Sequence, residues 1–361
     1  MVDVVVKDLY KKYRKKDALK GVSFEAPEGK ITVLFGPVGA GKTTTLRIIA
    51  GLERPDRGRV FFGGADVTDR PPQERNVGLV FQTFALYPHL SVYENIASPL
   101  RARGLPRSEI DERVRRVAEM LRISDILEKG PAEISGGQRQ RVAIARALVK
   151  DAAVYLFDEP LTNLDYKIRE AMRGELRKIL KERGGTMIWA TPDPQEALAL
   201  GDYVVVLHNG VVEAQGEIHE VYNRPRNTTV AKYFSYPSMN LIKGVVKSRE
   251  DGVLVDLGFT ALKVPRAKLP EEVAGEVVVG IRPTDIKILL AGEHGIWGTV
   301  VLTEVLGSET LIHLDVAGTR LVAHVPEIFR AQPGSSVRLL IDPGRVYLFD
   351  RSTGELLHAP G

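Results

Sequence analysis

The chain has no cysteine in its 361 residues. That excludes disulfides, thiol catalysis and cysteine-built metal or iron–sulfur sites. It also lacks a charge bias: 50 Lys and Arg against 46 Asp and Glu leave a net +4, too little to argue for a nucleic-acid partner. The basic run over residues 11–16 reads as a solvated surface turn. No apolar segment follows Met1, so no signal peptide is expected. No apolar run is long enough to span a bilayer. The longest candidate, over 197–212, is broken by Asp202 and by His208-Asn209-Gly210. A cytoplasmic protein is expected, reaching a membrane only through a partner. Internal repeats and low-complexity linkers are missing too, and at this length two directly docked domains are expected.

The chain does have a glycine-rich turn set between an apolar run and a helical pattern. Ile31 to Phe35 reads as a buried strand and Thr44 to Ala50 as a helix. Between them stand Gly36, Pro37, Val38, Gly39, Ala40, Gly41, Lys42 and Thr43. Gly36, four residues, then Gly41-Lys42-Thr43 is the phosphate-loop pattern in its required strand-to-helix setting. Glycines let successive backbone N–H groups converge on one anion, and the helix adds its positive end. In that chemistry Lys42 reaches the β- and γ-phosphates of ATP, and the Thr43 hydroxyl ligates Mg²⁺.

The rest of the first two-thirds alternates. Short β-rich runs precede the phosphate loop, with Tyr13 expected in the turn between two of them. Val77 to Phe81, Val154 to Phe157 and Thr186 to Ala190 read as further strands, and Asn209-Gly210 as a hairpin turn. From about 88 to 150 the pattern is helical. Ile110, Val114, Val117 and Leu121 mark one face of a helix that Ser108 and Asp111 are placed to cap. The expected fold is α/β with a parallel sheet and an inserted helical subdomain. Past about 237 the helical signals stop, and short strand-like runs follow, as in an all-β barrel or sandwich. The expected domains are 1–237 and 238–361.

Two further motifs carry chemistry. Asp158 ends an apolar strand, where open α/β sheets present ligand groups, and suits a Mg²⁺ holder. Glu159 follows it, placed to polarise a water for hydrolysis. Ser135-Gly136-Gly137-Gln138 opens a helix, making a second anion-binding end. One nucleotide rarely needs two such ends in one chain. Set against a neighbour's γ-phosphate, the second would make ATP the bond of a dimer.

These motifs in this order resemble the ATP-binding cassette (ABC) ATPases over residues 1 to about 237. The stretch Val80 to His89 is similar to the ATPase subunits of bacterial and archaeal sugar importers, of the maltose and trehalose type. So are Gly280-Ile281-Arg282-Pro283 and Leu306-Gly307-Ser308-Glu309-Thr310 in the β region. The resemblance implies a P-loop ATPase of ABC type with a C-terminal OB-like regulatory domain. It implies that Tyr13 stacks on adenine and that Gly36 to Thr44 hold the triphosphate with Mg²⁺. It implies that Gln82 senses the metal and the attacking water, and that Ser135, Gly136, Gly137 and Gln138 meet the γ-phosphate of a second ATPase subunit. Asp165 then belongs to the loop crossing between the two sites. The implied partners are membrane-spanning subunits, that second ATPase subunit and, indirectly, an extracytoplasmic solute-binding protein. The implied location is the cytoplasmic face of the membrane.

The departures are informative. Val38 replaces the usual Ser, with little loss expected because the phosphate loop works through its backbone; Ile134 replaces the usual Leu and Thr162 the usual Ser, both mild changes. Thr191-Pro192-Asp193 stands where the family reads Thr-His-Asp, and Pro192 has neither a side-chain donor nor an N–H. Either this chain pairs with a different ATPase subunit and its own site is weakened, or it forms a slow homodimer. Two other classes stay open: a regulatory ATP-binding subunit with little turnover, and a soluble ABC ATPase not tied to transport. The β domain also admits an oligonucleotide- or saccharide-binding reading, with Trp297 the main stacking candidate.

Overall fold

A computed structural model describes residues 2–14, 16–162, 166–248, 253–265, 275–289 and 295–360. The chain forms two compact units, Met1–Ile218 and His219–Gly361. In the first, the strands are β1 (Val4–Tyr13), β2 (Lys16–Ala26), β3 (Ile31–Phe35), β4 (Arg57–Phe62), β5 (Ala65–Asp66), β6 (Val77–Val80), β7 (Val154–Asp158), β8 (Thr186–Thr191), β9 (Tyr203–His208) and β10 (Val211–Glu217). They make a sheet in the order β2-β1-β4-β5 and a second in the order β10-β9-β3-β8-β7-β6.

In the second sheet β3 runs parallel to β8 and β9, and β7 parallel to β6 and β8. Every residue of β3, β7 and β8 is buried, which is why these segments read as unbroken apolar runs. Only β10 is antiparallel, joined to β9 through Asn209 and Gly210 at φ 49° and 82°. Two left-handed residues in succession match the twist of a hairpin, which is what Asn-Gly supplies. Val33, Leu34, Phe35, Leu156, Phe157 and Trp189, all fully buried, form the centre of this sheet.

The connections carry helices α1 (Lys42–Ala50), α2 (Pro72–Arg75), α3 (Val92–Arg101), α4 (Arg107–Met120), α5 (Gly136–Leu148), α6 (Tyr166–Arg183) and α7 (Pro194–Leu200). Among them α3, α4 and α5 form the helical insertion between β6 and β7. Ile110, Val114 and Val117 are buried along one face of α4, but Ser108 does not cap it. The extended Pro106, at ψ 146°, lets the helix open at Arg107, so Ser108 falls inside the first turn. Reciprocal capping boxes occur instead at Ser91 with Glu94 on α3 and at Ser135 with Gln138 on α5.

Tyr13 is not in a turn. The β1–β2 pairing continues beyond the buried residues to Lys12↔Asp17 and Tyr13↔Lys16, with a Lys12–Asp17 ion pair at 3.6 Å. Cross-strand charge complementarity thus extends the ribbon through what composition reads as a loop. Among the described residues no helix is long and apolar enough to cross a membrane.

The second unit begins within α8 (Ile218–Asn223) and includes α9 (Thr228–Tyr233). Its strands are β11 (Asn240–Ser248), β12 (Val253–Asp256), β13 (Ala261–Val264), β14 (Glu276–Ile281), β15 (Ile286–Leu289), β16 (Ile296–Leu306), β17 (Glu309–Val316), β18 (Thr319–Val325), β19 (Ser336–Ile341), β20 (Tyr347–Asp350) and β21 (Leu356–His358). They form antiparallel sheets in the orders β13-β12-β11-β14-β20-β21 and β15-β19-β16-β17-β18. Val255, Val279 and Ile281 of one sheet share a core with Ile312, Leu314 and Leu339 of the other. Two sheets closing over one alternating core is the all-β, OB-like arrangement expected from the sequence.

Candidate functional site: a phosphate loop with paired carboxylates

The loop between β3 and α1 is built around close backbone approach. A Cβ on Gly36 would stand 2.1 Å from the Leu207 carbonyl oxygen, so only glycine fits there. Gly36 N–H donates to Thr191 O at 3.3 Å, tying the loop to the end of β8. Gly39 differs: its φ is 83° and a Cβ would meet only the Lys16 ammonium, in ordinary contact at 3.7 Å. Gly41 precedes α1 at φ 108° without a side-chain cap, leaving the first-turn N–H groups for an outside acceptor. The Val38 side chain is 88% exposed, and the Ala40 carbonyl accepts from Gly210 N–H at 3.1 Å. Pro37 O accepts from Ala40 N–H at 3.1 Å, and Thr44 is half-buried in the first turn of α1.

Four side chains meet at the loop. Lys42 Nζ donates to Gly36 O at 2.7 Å and Pro37 O at 3.1 Å, and lies 3.1 Å from Glu159 Oε1. Thr43 Oγ1 donates to Asp158 Oδ1 at 2.9 Å. Burial pushes the Asp158 carboxyl above its ordinary value; the Thr43 bond opposes this and the neighbouring Glu159 charge reinforces it. Glu159 itself sits at φ 46°, with its N–H on Ala190 O at 3.1 Å. A left-handed glutamate held by the adjacent strand is the kind of backbone cost that concentrates at functional positions.

Thr43 and Asp158 offer hard oxygen donors, and Mg²⁺ is typically held by one or two such groups with phosphates and water completing its shell. No group of three or more His, Cys, Asp or Glu that could hold a metal occurs among the described residues. The donor set therefore fits a nucleotide-borne Mg²⁺ rather than a protein-caged ion.

The other expected residues lie on or beside further elements. Gln82 is exposed just beyond β6. Tyr13 is 40% exposed, with the Lys11 ammonium 5.5 Å from its ring centre. Ser135 caps α5, accepting from Gln138 N–H at 3.2 Å while its own N–H donates to Gln138 Oε1 at 2.9 Å. A hydroxyl that accepts still keeps an O–H to donate. Gly136 is half-buried and Gly137 buried in the same first turn. Asp165 lies outside the described residues. His208 pairs across the hairpin, its Nδ1 3.8 Å from Glu213 Oε1, and so is not at the position of Pro192.

Some residues at the site had no clear signal in the sequence. Lys16 faces the space beside Gly39, and only the basic run pointed to it. Asn95, fully buried, donates to the carbonyls of Tyr87, Leu90 and Ser91 and accepts from Tyr87 N–H, fixing the segment after Gln82. No local pattern marks such a residue.

Pro192 joins β8 to α7. Asp193 caps α7 through Gln195 and Glu196 N–H at 2.9 and 3.3 Å and is ion-paired with Arg173. Glu196 is 2% exposed and accepts from Trp189 Nε1 at 2.5 Å. Burial, with a smaller push from Asp193, raises its carboxyl from an ordinary 4.5 to about 7. Below pH 4.5 it is neutral folded or unfolded; between 4.5 and 7 only the unfolded chain ionises, so stability falls as pH rises. Above 7 the loss is complete and constant. Glu196→Gln is expected to flatten this fall, recovering on the order of 3 kcal/mol at pH 8. Denaturant unfolding of both proteins across pH 5–8 checks it, and parallel profiles would count against it.

Known proteins match this chain along most of its length. Residues 19–162 match the ABC transporter family, 237–286 the MalK OB fold domain and 279–349 the TOBE domain. The trehalose/maltose import ATP-binding protein MalK of Thermococcus litoralis is 41% identical over 99% of this chain and 100% of its own length. The alpha-glucoside transport ATP-binding protein AglK of Rhizobium meliloti is 39% identical over 97% and 98%. An sn-glycerol-3-phosphate import ATP-binding protein of Agrobacterium fabrum is 39% identical over 100% and 96%. Among solved structures, a dimeric bacterial ABC transporter cassette superposes with TM-score 0.54 at 32% identity, over 59% of this chain and 98% of that one. The same figures hold for a dimeric post-hydrolysis state bound to ADP and phosphate. With its phosphate loop, its paired strand-end carboxylates and a MalK-type OB and TOBE region later in the sequence, the chain belongs to the ABC transporter ATP-binding family.

Proposed function

We propose that this chain is the ATP-binding and hydrolysing subunit of an importer for sugars or related solutes, working beside a second ATPase subunit. The observation that carries the reading is the convergence of Lys42, Thr43, Asp158 and Glu159 on one glycine-rich loop. Lys42 and the loop N–H groups from Gly36 to Thr44 bind the phosphates. Thr43 and Asp158, joined by Gln82, hold Mg²⁺, which when bound neutralises phosphate charge and orients the terminal group. Glu159 polarises the attacking water. Tyr13 stacks on adenine, and Ser135, Gly136, Gly137 and Gln138 complete the site of the opposing subunit, with Asp165 in the crossing loop. Residues 1–237 act as the ATPase domain and 238–361 as a regulatory domain. The subunit then sits peripherally on the cytoplasmic side, docked to membrane-spanning subunits whose solute arrives through a binding protein.

Pro192 supports a finer statement: this chain's own cradle binds ATP but turns it over slowly, while its intact signature serves the partner. ATPase activity of the purified chain tests this. Slow turnover that rises when a second ATPase subunit is added is the expected result. Turnover by the chain alone at the rate of an ordinary importer ATPase would sink it.

A further inference from the structure

The segment after Gln82 holds two successive non-glycine residues in the left-handed region, Phe84 at φ 63° and Ala85 at φ 48°. An L side chain there crowds its own carbonyl, so such a turn persists only where its surroundings hold it. Its internal bonds are short-range: Phe84 N–H to Phe81 O at 3.0 Å and Ala85 N–H to Thr83 O at 2.7 Å. The external hold comes from Arg146 of α5. Its Nη1 donates to Ala85 O at 2.7 Å and its Nη2 to Phe84 O at 2.9 Å, so one planar fork takes both carbonyls. The same guanidinium lies over the Tyr87 ring, 5.6 Å from its centre. Asn95 of α3 secures the far end through Tyr87 and Leu90.

Arg146 belongs to the helix that Ser135 caps. At about 1.5 Å per residue it stands roughly 16 Å along the same rod from Ser135. We propose that Arg146 is a positioning residue that holds the segment after Gln82 in its left-handed turn and so ties that segment to the helix headed by Ser135 and Gln138. Displacement of either end passes to the other through two hydrogen bonds and a stacked ring instead of through flexible chain. Lysine cannot substitute, because a point ammonium does not fork across two carbonyls. The consequence for ATP turnover rests on the function proposed above; the mechanical tie does not.

Hydrogen exchange on the full-length chain reads this directly. Arg146→Ala is expected to speed exchange over 82–90 by about tenfold while α1 and α3 stay within about twofold. Arg146→Lys should fall between. Adding Ala85→Gly to Arg146→Ala should restore protection at the Tyr87 amide, since glycine takes positive φ without the Cβ penalty. Unchanged exchange over 82–90, loss of protection throughout α3 and α5, or no rescue by glycine each overturns the proposal. Should Arg146→Ala not fold, Arg146→Lys and its Ala85→Gly derivative carry the same comparison. Absence of ATP turnover even with a second ATPase subunit present refutes the function proposed above and leaves the exchange result to decide the role of Arg146.

Discussion

Lys42→Met is expected to weaken MgATP binding by about a hundredfold or more, since a buried charge-assisted contact to phosphate is worth several kcal/mol. The environment of the ammonium explains the size of the effect. It is 3% exposed and bonds two loop carbonyls as well as Glu159, so it is a fixed positive charge inside the loop. Removing it does two things at once. Bound phosphate loses a donor, and the Glu159 carboxylate, 11% exposed, loses its counter-charge. The second effect destabilises the fold by up to about 3–5 kcal/mol in a dry setting. The double variant Lys42→Met with Glu159→Gln separates them: thermal stability should return toward the parent value while affinity stays low. Equilibrium binding of a fluorescent nucleotide, read beside thermal unfolding, checks both. Affinity within about threefold of the parent, against the hundredfold expected for such a contact, would remove Lys42 from the phosphate site.

How much of this was legible depends on the distance over which each feature is encoded. The phosphate loop packs its glycines, lysine and threonine into one contiguous stretch, so spacing alone exposes it. The α/β order was legible for a similar reason: β3, β7 and β8 are buried on both faces and announce themselves as apolar runs. Thr43 and Asp158 were each read as Mg²⁺ holders, and their direct contact across 115 residues comes from the fold, which sets a strand-end carboxylate beside a strand-end loop.

What stayed hidden is what one segment does to another. Nothing near Phe84 or Ala85 shows that both take positive φ, because the cause is a guanidinium on another helix. β11 escaped detection because Gly244 interrupts it. Sequence rules read a strand glycine as weakness, whereas a Cβ there would stand 2.5 Å from Val255 Cγ1, so the residue permits close approach of the core. The start of α4 was misplaced for the converse reason. A capping pattern was visible at Ser108, but Pro106 opened the helix before that serine could cap it.

Pro192→His tests the slow-cradle reading at the residue that follows β8. The position is held from both sides. Thr191 before it is buried and its carbonyl takes the Gly36 N–H at 3.3 Å. Asp193 after it caps α7 and pairs with Arg173. A side chain at 192 therefore stands on a backbone tied to the phosphate loop through Thr191, and an imidazole there is expected to reach a terminal phosphate. Positioned proton-transfer or hydrogen-bonding groups contribute roughly 10²–10⁴ in rate, so a gain in kcat of about tenfold or more is expected even with imperfect alignment. KM for ATP should move little, because the function proposed above assigns ground-state binding to Lys42 and the loop N–H groups. Pro192→Ala is the control: it restores the backbone N–H without adding an imidazole, and should leave kcat near the parent value. If alanine accelerates turnover as much as histidine, the proline ring and not the missing donor was the obstacle. If neither variant changes kcat by more than about twofold, against the tenfold expected from a placed donor, the slow-cradle reading fails and the chain acts as an ordinary ATPase subunit whose terminal-phosphate contact comes from elsewhere.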